Sequence, residues 1–171
     1  MVLFRQKLRQ INPLLLSVME KEVKKLLDAK LIIPLRYSDW VANLVPVRKK
    51  SGEIRLCVDF RNLNKSSKKD NYPLSKMEHI LQNMTRSDII SMLYGFSGCN
   101  QISVWLKDWE KTTFTTPWGT FMYAKMSFGL MNAGATFQRA IEFEFIGEKD
   151  KFLVIYLDDI TIFSASYQEH L

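Results

Sequence analysis

The sequence predicts an α+β fold on an antiparallel sheet, and three observations carry that expectation. Short apolar–polar alternations are joined by tight-turn residues, two amphipathic stretches open with capping-box spacing, and strands and helices are mixed along the chain. The 171 residues suffice for one domain burying roughly 70% of its unfolded surface. With 47% hydrophobic and 25% charged residues, disorder and collagen-like repeats are excluded.

Ser17-Val18-Met19-Glu20 has the spacing of a capping box and predicts a helix to about Lys30, with Val23, Leu26 and Leu27 as its apolar stripe. Asn43 to Arg48 reads as a strand, and Pro46 within it argues for an edge position. After the turn Lys49-Lys50-Ser51-Gly52, Glu53 to Phe60 alternates: Ile54, Leu56, Val58 and Phe60 face one way, Arg55, Cys57 and Asp59 the other. The result is a hairpin with a cationic tip and outer face. Ser75 to Glu78 is a second capping box, opening a short helix with Met77, Ile80, Leu81 and Met84 on one face. Asp88 to Tyr94 is a strand broken by Gly95-Phe96-Ser97-Gly98, and Asn100 to Trp105 continues extended or turning. Lys111 to Thr116 and Thr120 to Lys125 are strands about Pro117-Trp118-Gly119. Asn132 caps a helix reaching about Ile146. Phe152 to Tyr156 and Ile160 to Phe163 are apolar strands joined at Leu157-Asp158-Asp159.

Several classes fall away. The longest apolar run, Phe152 to Leu157, is far short of the ~18 residues of a membrane span, so no membrane partner is expected. Arg5, Lys7 and Arg9 interrupt the N-terminus, which predicts no secretory signal and an intracellular, reducing compartment. Cys57 and Cys99 cannot form a disulfide framework, nor His79 and His170 a zinc cluster. The net charge of +6 is unevenly spread. Residues 1–76 carry 17 Lys/Arg against 7 Asp/Glu, whereas residues 77–171 carry 7 against 11. The basic front fits either an anionic polymer or a solvated lysine-rich face, while the back gathers carboxylates.

The carboxylates of Tyr156-Leu157-Asp158-Asp159 stand side by side at a turn between apolar strands. Two adjacent anions repel unless a cation lies against them, and hard oxygen ligands on a rigid hairpin suit Mg²⁺. Asp is equally a good turn former, so the pair alone leaves both readings open.

Seven further blocks bear on the choice. In order they are Val45-Pro46-Val47-Arg48-Lys49-Lys50-Ser51-Gly52, Arg55-Leu56-Cys57-Val58-Asp59-Phe60-Arg61-Asn62-Leu63-Asn64, Asp70-Asn71-Tyr72-Pro73-Leu74, Gly95-Phe96-Ser97-Gly98 with Asn100-Gln101-Ile102, Glu110 to Gly119, Phe128-Gly129-Leu130-Met131-Asn132-Ala133, and Ala135-Thr136-Phe137-Gln138. With Tyr156-Leu157-Asp158-Asp159 they resemble, in family order, the reverse transcriptase of gypsy-type long-terminal-repeat retrotransposons, RNA-directed DNA polymerases cut from a Pol polyprotein.

The resemblance implies a right-hand polymerase fold, fingers and palm, with an antiparallel palm sheet and flanking helices. It implies a reverse transcriptase domain over residues 14–171 after an N-terminal extension of residues 1–13. It implies deoxynucleotide addition to a DNA primer on an RNA template by two-metal phosphoryl transfer with Mg²⁺. Asp158 and Asp159 take the catalytic and metal-binding positions, Asp158 as the more direct ligand. Lys49 and Arg55 match residues gripping the dNTP triphosphate, a point charge and a fork for phosphate oxygens; exposed surface charge is their other reading. Phe128 and Gly129 match the segment against the nucleotide's sugar and base, although an aromatic beside a glycine also reads as core packing. Lys65, Lys68 and Lys69 read either as phosphate contacts or as solvated charge. Trp118 is expected to pack beneath its hairpin.

Five residues at four places depart from the family pattern. The strand before Gly-Phe-Ser-Gly normally ends Leu-Asp, its aspartate being the third metal-binding carboxylate; here it ends Leu93-Tyr94. A phenol with an ordinary pKa of ~10 stays neutral at pH 7 and cannot replace an anionic ligand. Asp88, six residues upstream, is roughly 20 Å away along an extended strand. The metal pair is therefore expected not to assemble, leaving polymerisation very weak or absent. Cys99 occupies the steric-gate position where the family has Tyr, which predicts relaxed discrimination against ribonucleotides. Ser127 replaces a Pro, and Trp105-Leu106 a His-Pro pair. Such changes are those expected of drift after selection lifts. Because the chain stops soon after the Asp-Asp hairpin, the resemblance predicts a fragment with thumb absent and without ribonuclease H, protease or integrase regions. A non-catalytic nucleic-acid-binding remnant and an inert relic are the rival expectations.

Overall fold

A computed structural model describes residues 4–74, 76–85, 87–94, 98–157 and 159–170, with backbone alone at Asn83 and Tyr94. In chain order the elements are α1 (Leu16–Asp28), β1 (Ile32–Pro34), β2 (Ala42–Arg48), β3 (Ile54–Val58), α2 (Arg61–Ser66), α3 (Met77–Met84), β4 (Ile89–Tyr94), α4 (Gly98–Gln101), β5 (Phe114–Thr116), β6 (Gly119–Tyr123), α5 (Ala133–Glu144), β7 (Leu153–Tyr156), β8 (Asp159–Ser164) and α6 (Tyr167–His170). The fold is α+β, as the sequence predicts, in two compact units: Met1–Lys68 with Cys99–Met131, and Lys69–Gly98 with Asn132–Leu171.

The first unit carries a five-stranded sheet in the order β1-β6-β5-β2-β3. Its pairs are antiparallel except β2–β5, where Ala42 and Asn43 run parallel to Phe114 and Thr115. Those two strands are remote in sequence, so no hairpin dictates their direction. β2 is therefore interior over its first two residues. Pro46 lies beyond the β5 pairing, which reconciles its missing N–H with a strand that is not an edge throughout. Met19, Phe114, Ile32 and Leu44 are almost wholly buried, and Phe114 packs 5.4 Å from Tyr123 and 6.0 Å from Phe121 between ring centres. Val23 joins this core, with Leu26 and Leu27 partly buried against it.

Residues 4–9 lie beside the start of β2 and the residues leading into it. Gln6 N–H donates to Val41 O (2.9 Å), its Oε1 accepts from Asn43 N–H (2.8 Å), and Phe4 packs near Trp40. The expected capping box at Ser17 does not form. Pro13–Leu15 makes a 3-10 turn in which Asn12 Oδ1 accepts the Leu14 N–H (3.0 Å), so the helical start slides ahead of Ser17. At the other end Lys30 adopts φ +55°, and Leu31 and Lys30 donate to Leu26 O and Leu27 O, a Schellman ending that stops α1 at Asp28. The strand expected from Lys111 begins only at Phe114. Thr112 Oγ1 donates to Trp109 O (2.6 Å) within a 3-10 turn over Glu110–Thr112, a local bond that outcompetes the extended form. Gly98–Gln101 is helical where extended or turning chain is expected.

The second unit carries the antiparallel sheet β4-β8-β7. Ile80, Val154 and Phe163 form its apolar centre with Met84 and Tyr156 alongside. Of the four-residue stripe expected on α3, only Ile80 and Met84 pack inward. Met77 and Leu81 are half-exposed, because this eight-residue helix meets the sheet along one i,i+4 row. Ser75, the expected cap, lies outside the described residues. Asn132 precedes α5 without capping it; its Oδ1 accepts the Asp70 N–H (3.0 Å), and α5 ends at Glu144 rather than Ile146. No helix among the described residues is long and apolar enough to cross a membrane.

Candidate active site

In the second unit, β7 and β8 form a hairpin whose last pair is Tyr156 with Asp159. Asp158 lies outside the described residues. Leu157 has φ +54°, the left-handed region that a side chain of its size occupies only where neighbours hold it. The neighbour is Gln138 on α5, fully buried. Its Oε1 accepts the Leu157 N–H (2.6 Å), while its Nε2 donates to Ile155 O (3.0 Å) and to Glu142 Oε1 (2.8 Å).

Asp159 opens β8 and is exposed. Along β4 the register runs from Ile89 opposite Ser164 to Tyr94 opposite Asp159. Tyr94 and Asp159 are thus direct cross-strand partners at the turn end of the sheet, where opposed Cβ atoms stand roughly 4.5–5.5 Å apart. The sequence placed Tyr94 where a carboxylate is expected; the register puts that position beside the hairpin's acid. Beyond Tyr94, Gly98 is fixed by contact: a Cβ there would sit 2.4 Å from Cζ of Phe137. Among the described residues no three of His, Cys, Asp and Glu gather as metal ligands.

Glu142 accepts from Gln138, from Lys149 Nζ (2.6 Å) and from the Tyr72 hydroxyl. Burial alone would raise its carboxyl, but the three donors, Lys149 foremost, hold it below the ordinary range. Tyr72 is pushed up in turn by that hydrogen bond to the carboxylate. Arg139 forks both oxygens of Asp70 (2.9 and 2.7 Å) and lies over the Tyr72 ring.

The first unit holds the remaining candidates. At the tip of the β2–β3 hairpin Lys49 Nζ meets Glu53 Oε2 at 2.8 Å, both exposed, and the lysine's charge lowers the Glu53 carboxyl. Arg55 projects from β3 with its guanidinium carbon 5.0 Å from the centre of the Phe128 ring. Phe128 remains 39% exposed, so it is a surface aromatic rather than core. Gly129 follows at φ +93°, a conformation suited to glycine. Its carbonyl accepts from Asn64 Nδ2 (2.7 Å), and Asn64 Oδ1 accepts the Met131 N–H (2.8 Å), clamping the segment. Ser127, in place of a proline, is buried and donates its hydroxyl to Phe128 O (2.9 Å). Cys99 is buried, and neither cysteine is in a disulfide. Lys65, Lys68 and Lys69 are exposed, as are Trp105 and Leu106, while Trp118 is 37% exposed.

The sequence alone assigns no role to Asn64, Gln138 or Glu142. The usable signal is an amide four residues ahead of an acid on one face of a helix, Gln138 and Glu142.

A family model described as reverse transcriptase (RNA-dependent DNA polymerase) matches residues 47–171. The retrovirus-related Pol polyproteins of transposons 297 and gypsy, both from Drosophila melanogaster, are each 34% identical over 156 residues; these cover 89% and 88% of this chain and 15% of each polyprotein. An RNA-directed DNA polymerase homolog from Oenothera berteroana is 35% identical over 121 residues, 69% of this chain and 85% of the homolog. The chain thus spans about 15% of the length of the two polyproteins. Among solved structures, the native prototype foamy virus protease-reverse transcriptase superposes with a TM-score of 0.84 at 22% identity, over 96% of this chain and 22% of that one. The foamy viral enzyme in complex with RNA/DNA hybrid gives 0.85 at 21%, over 96% and 22%. With its α+β fold and its ordered motifs, the chain belongs to the reverse transcriptase (RNA-directed DNA polymerase) family.

Proposed function

We propose that this chain, as a reverse transcriptase domain over residues 14–171, retains the family's grip on template–primer duplex and dNTP but polymerises very weakly or not at all. The observation that carries this reading is the cross-strand pairing of Tyr94 with Asp159. Two divalent cations ~4 Å apart need several anions to offset their repulsion. A neutral phenol at position 94 offers none, and the next acid on that strand side, Asp88, precedes β4. The residues present do not fit a pair of Mg²⁺ ions, even with Asp158 and Asp159 both counted.

Binding asks less of the chain. Lys49 forms an exposed ion pair of small net worth, and can exchange Glu53 for a phosphate oxygen. Arg55 has its guanidinium carbon over the Phe128 ring, a surface that a sugar or base can extend, and its fork suits phosphate oxygens. Gly129 lets backbone approach the nucleotide, and Cys99 at the gate position favours ribonucleotide tolerance. The foamy viral enzyme's complex with RNA/DNA hybrid supports an RNA template and DNA primer as partners, as does the excess of Lys/Arg over residues 1–76.

Primer extension on an RNA template, with the natural chain and with Tyr94→Asp, tests the chemistry. Little or no product from the natural chain and a clear gain from the variant are expected; template-dependent synthesis by the natural chain at the variant's rate refutes the impairment. Duplex binding tests the rest. Affinity should fall linearly on a log–log plot against salt, with a slope near the number of phosphates neutralised. Salt-insensitive or absent binding leaves an inert relic as the answer.

A further inference from the structure

We infer that Gln138, oriented by Glu142, is a positioning residue that holds the β7–β8 turn in its left-handed conformation at Leu157 and so fixes the register of Asp159. The inference rests on the proposed function only for what the positioning serves.

A carboxamide has two faces that differ chemically, one accepting and one donating. Which face meets Leu157 is decided by the far side. Glu142 is an ionised carboxylate, so it can only accept, and it therefore takes the Nε2–H of Gln138. Ile155 O takes the other. With both donors committed, Oε1 is left facing the Leu157 N–H, which a turn with positive φ directs out of the strand ladder. Tyr72 and Lys149 fix Glu142 from outside by donating to its oxygens. A chain of complementary contacts thus runs from the unit's surface to the turn, and every donor along it has one acceptor to choose.

Packing restricts the turn from another side. The Leu157 side chain lies against Gly134, one turn ahead of Gln138 on α5, where an added Cβ would come within 3.2 Å of Cδ2. Sterics limit where Leu157 can go, and the amide selects its backbone conformation. Because Leu157 follows the last pair of the hairpin, Tyr156 with Asp159, a relaxed backbone there allows a register slip that would move every β8 side chain to the other face.

The test is amide hydrogen exchange of the isotope-labelled chain by NMR, which needs neither nucleotide nor polymerase activity. In Gln138→Met, of similar volume, the Leu157 amide should exchange about tenfold faster while Ile155 and Ile162 keep their protection. Unchanged Leu157 exchange in Gln138→Met, or an equal rise across all the second unit's amides, overturns the inference. If Tyr94→Asp restores primer extension, Gln138→Met in that background should lower kcat with KM for dNTP little changed. If Tyr94→Asp restores nothing, it is the proposed chemistry that has failed, and the exchange data still decide the role of Gln138.

Discussion

Arg55 and Phe128 form one surface: the guanidinium stacks 5.0 Å from the ring centre, and both keep solvent access. The residues lie 73 positions apart in the sequence, brought together by the β3 register and the Asn64 clamp on Gly129. An arginine whose guanidinium rests over an aromatic ring is partly positioned before any phosphate arrives, which lowers the ordering cost of binding one.

Arg55→Lys should therefore weaken binding of a deoxynucleoside triphosphate even though the charge is kept. Loss of the stack accounts for about 0.5–1 kcal/mol, and loss of the fork adds to it. Phe128→Leu should weaken binding through the same contact, and the two changes together should cost less than the sum of each alone. Calorimetric titration of the four chains with dNTP checks this. Strict additivity would mean the pair does not act as a unit.

Glu142 supplies a prediction in pH. Its folded carboxyl lies below the ordinary value of 4.5, so its contribution to stability is fully present above that value and is lost as pH falls through the lowered one. Glu142→Gln removes the titrating group. The natural chain should lose stability more steeply than the variant as pH falls below 4.5, while the variant is the less stable chain at pH 7 because Lys149 loses its anion. Denaturant unfolding at several pH values reads the difference. Parallel curves would show that the three donors do not distinguish the ionised form.

Much of this architecture was legible in the residues. The strict alternation of Ile54 to Phe60 gave β3 its face, and the apolar runs about Leu157-Asp158-Asp159 gave the terminal hairpin. Helix starts were misplaced because capping depends on where a side chain turns, not on its spacing. Asn132 has the right chemistry for a cap and serves the 70–72 segment instead. The parallel contact of β2 with β5 and the stack of Arg55 on Phe128 join remote residues, which local periodicity cannot report. At the site, Tyr94 was recognisable by comparison with a pattern, but its pairing with Asp159 is a fact of register. Gln138 was hidden differently: a polar residue inside an apolar helix face becomes informative only once its partners are known.

Among the described glycines, Gly98 leaves the least room for a methyl group. A Cβ would meet Cζ and Cε2 of Phe137 at 2.4 and 2.6 Å, and Phe137 is itself buried. Gly98→Ala should destabilise the chain by about 1–3 kcal/mol through overpacking, despite its better helix propensity. Shortening the obstacle should relieve it: Gly98→Ala combined with Phe137→Leu should be more stable than the two single losses added together. Equilibrium unfolding of the three variants checks this. A neutral Gly98→Ala would show that the ring moves aside freely.

The Tyr94–Asp159 pairing can be read without any catalysis. Placing a carboxylate at position 94 sets like charges directly across the β4–β8 ladder, an arrangement that costs up to about 1 kcal/mol when nothing lies between them. Tyr94→Asp should therefore melt below the natural chain in metal-free buffer. A divalent cation reverses the sign of that interaction, because an ion bound only by the folded state stabilises it by RT ln(1 + [L]/Kd), about 2.7 kcal/mol at a hundredfold excess over Kd. Mg²⁺ should raise the melting temperature of the variant in a concentration-dependent way. The natural chain should shift no further than in NaCl of matched ionic strength, which controls for screening. Asp159→Asn in the Tyr94→Asp background should abolish the response, since one carboxylate of the facing pair is gone. An equal Mg²⁺ response from the natural chain would mean that the phenol does not exclude the metal, and that the missing anion is supplied from elsewhere.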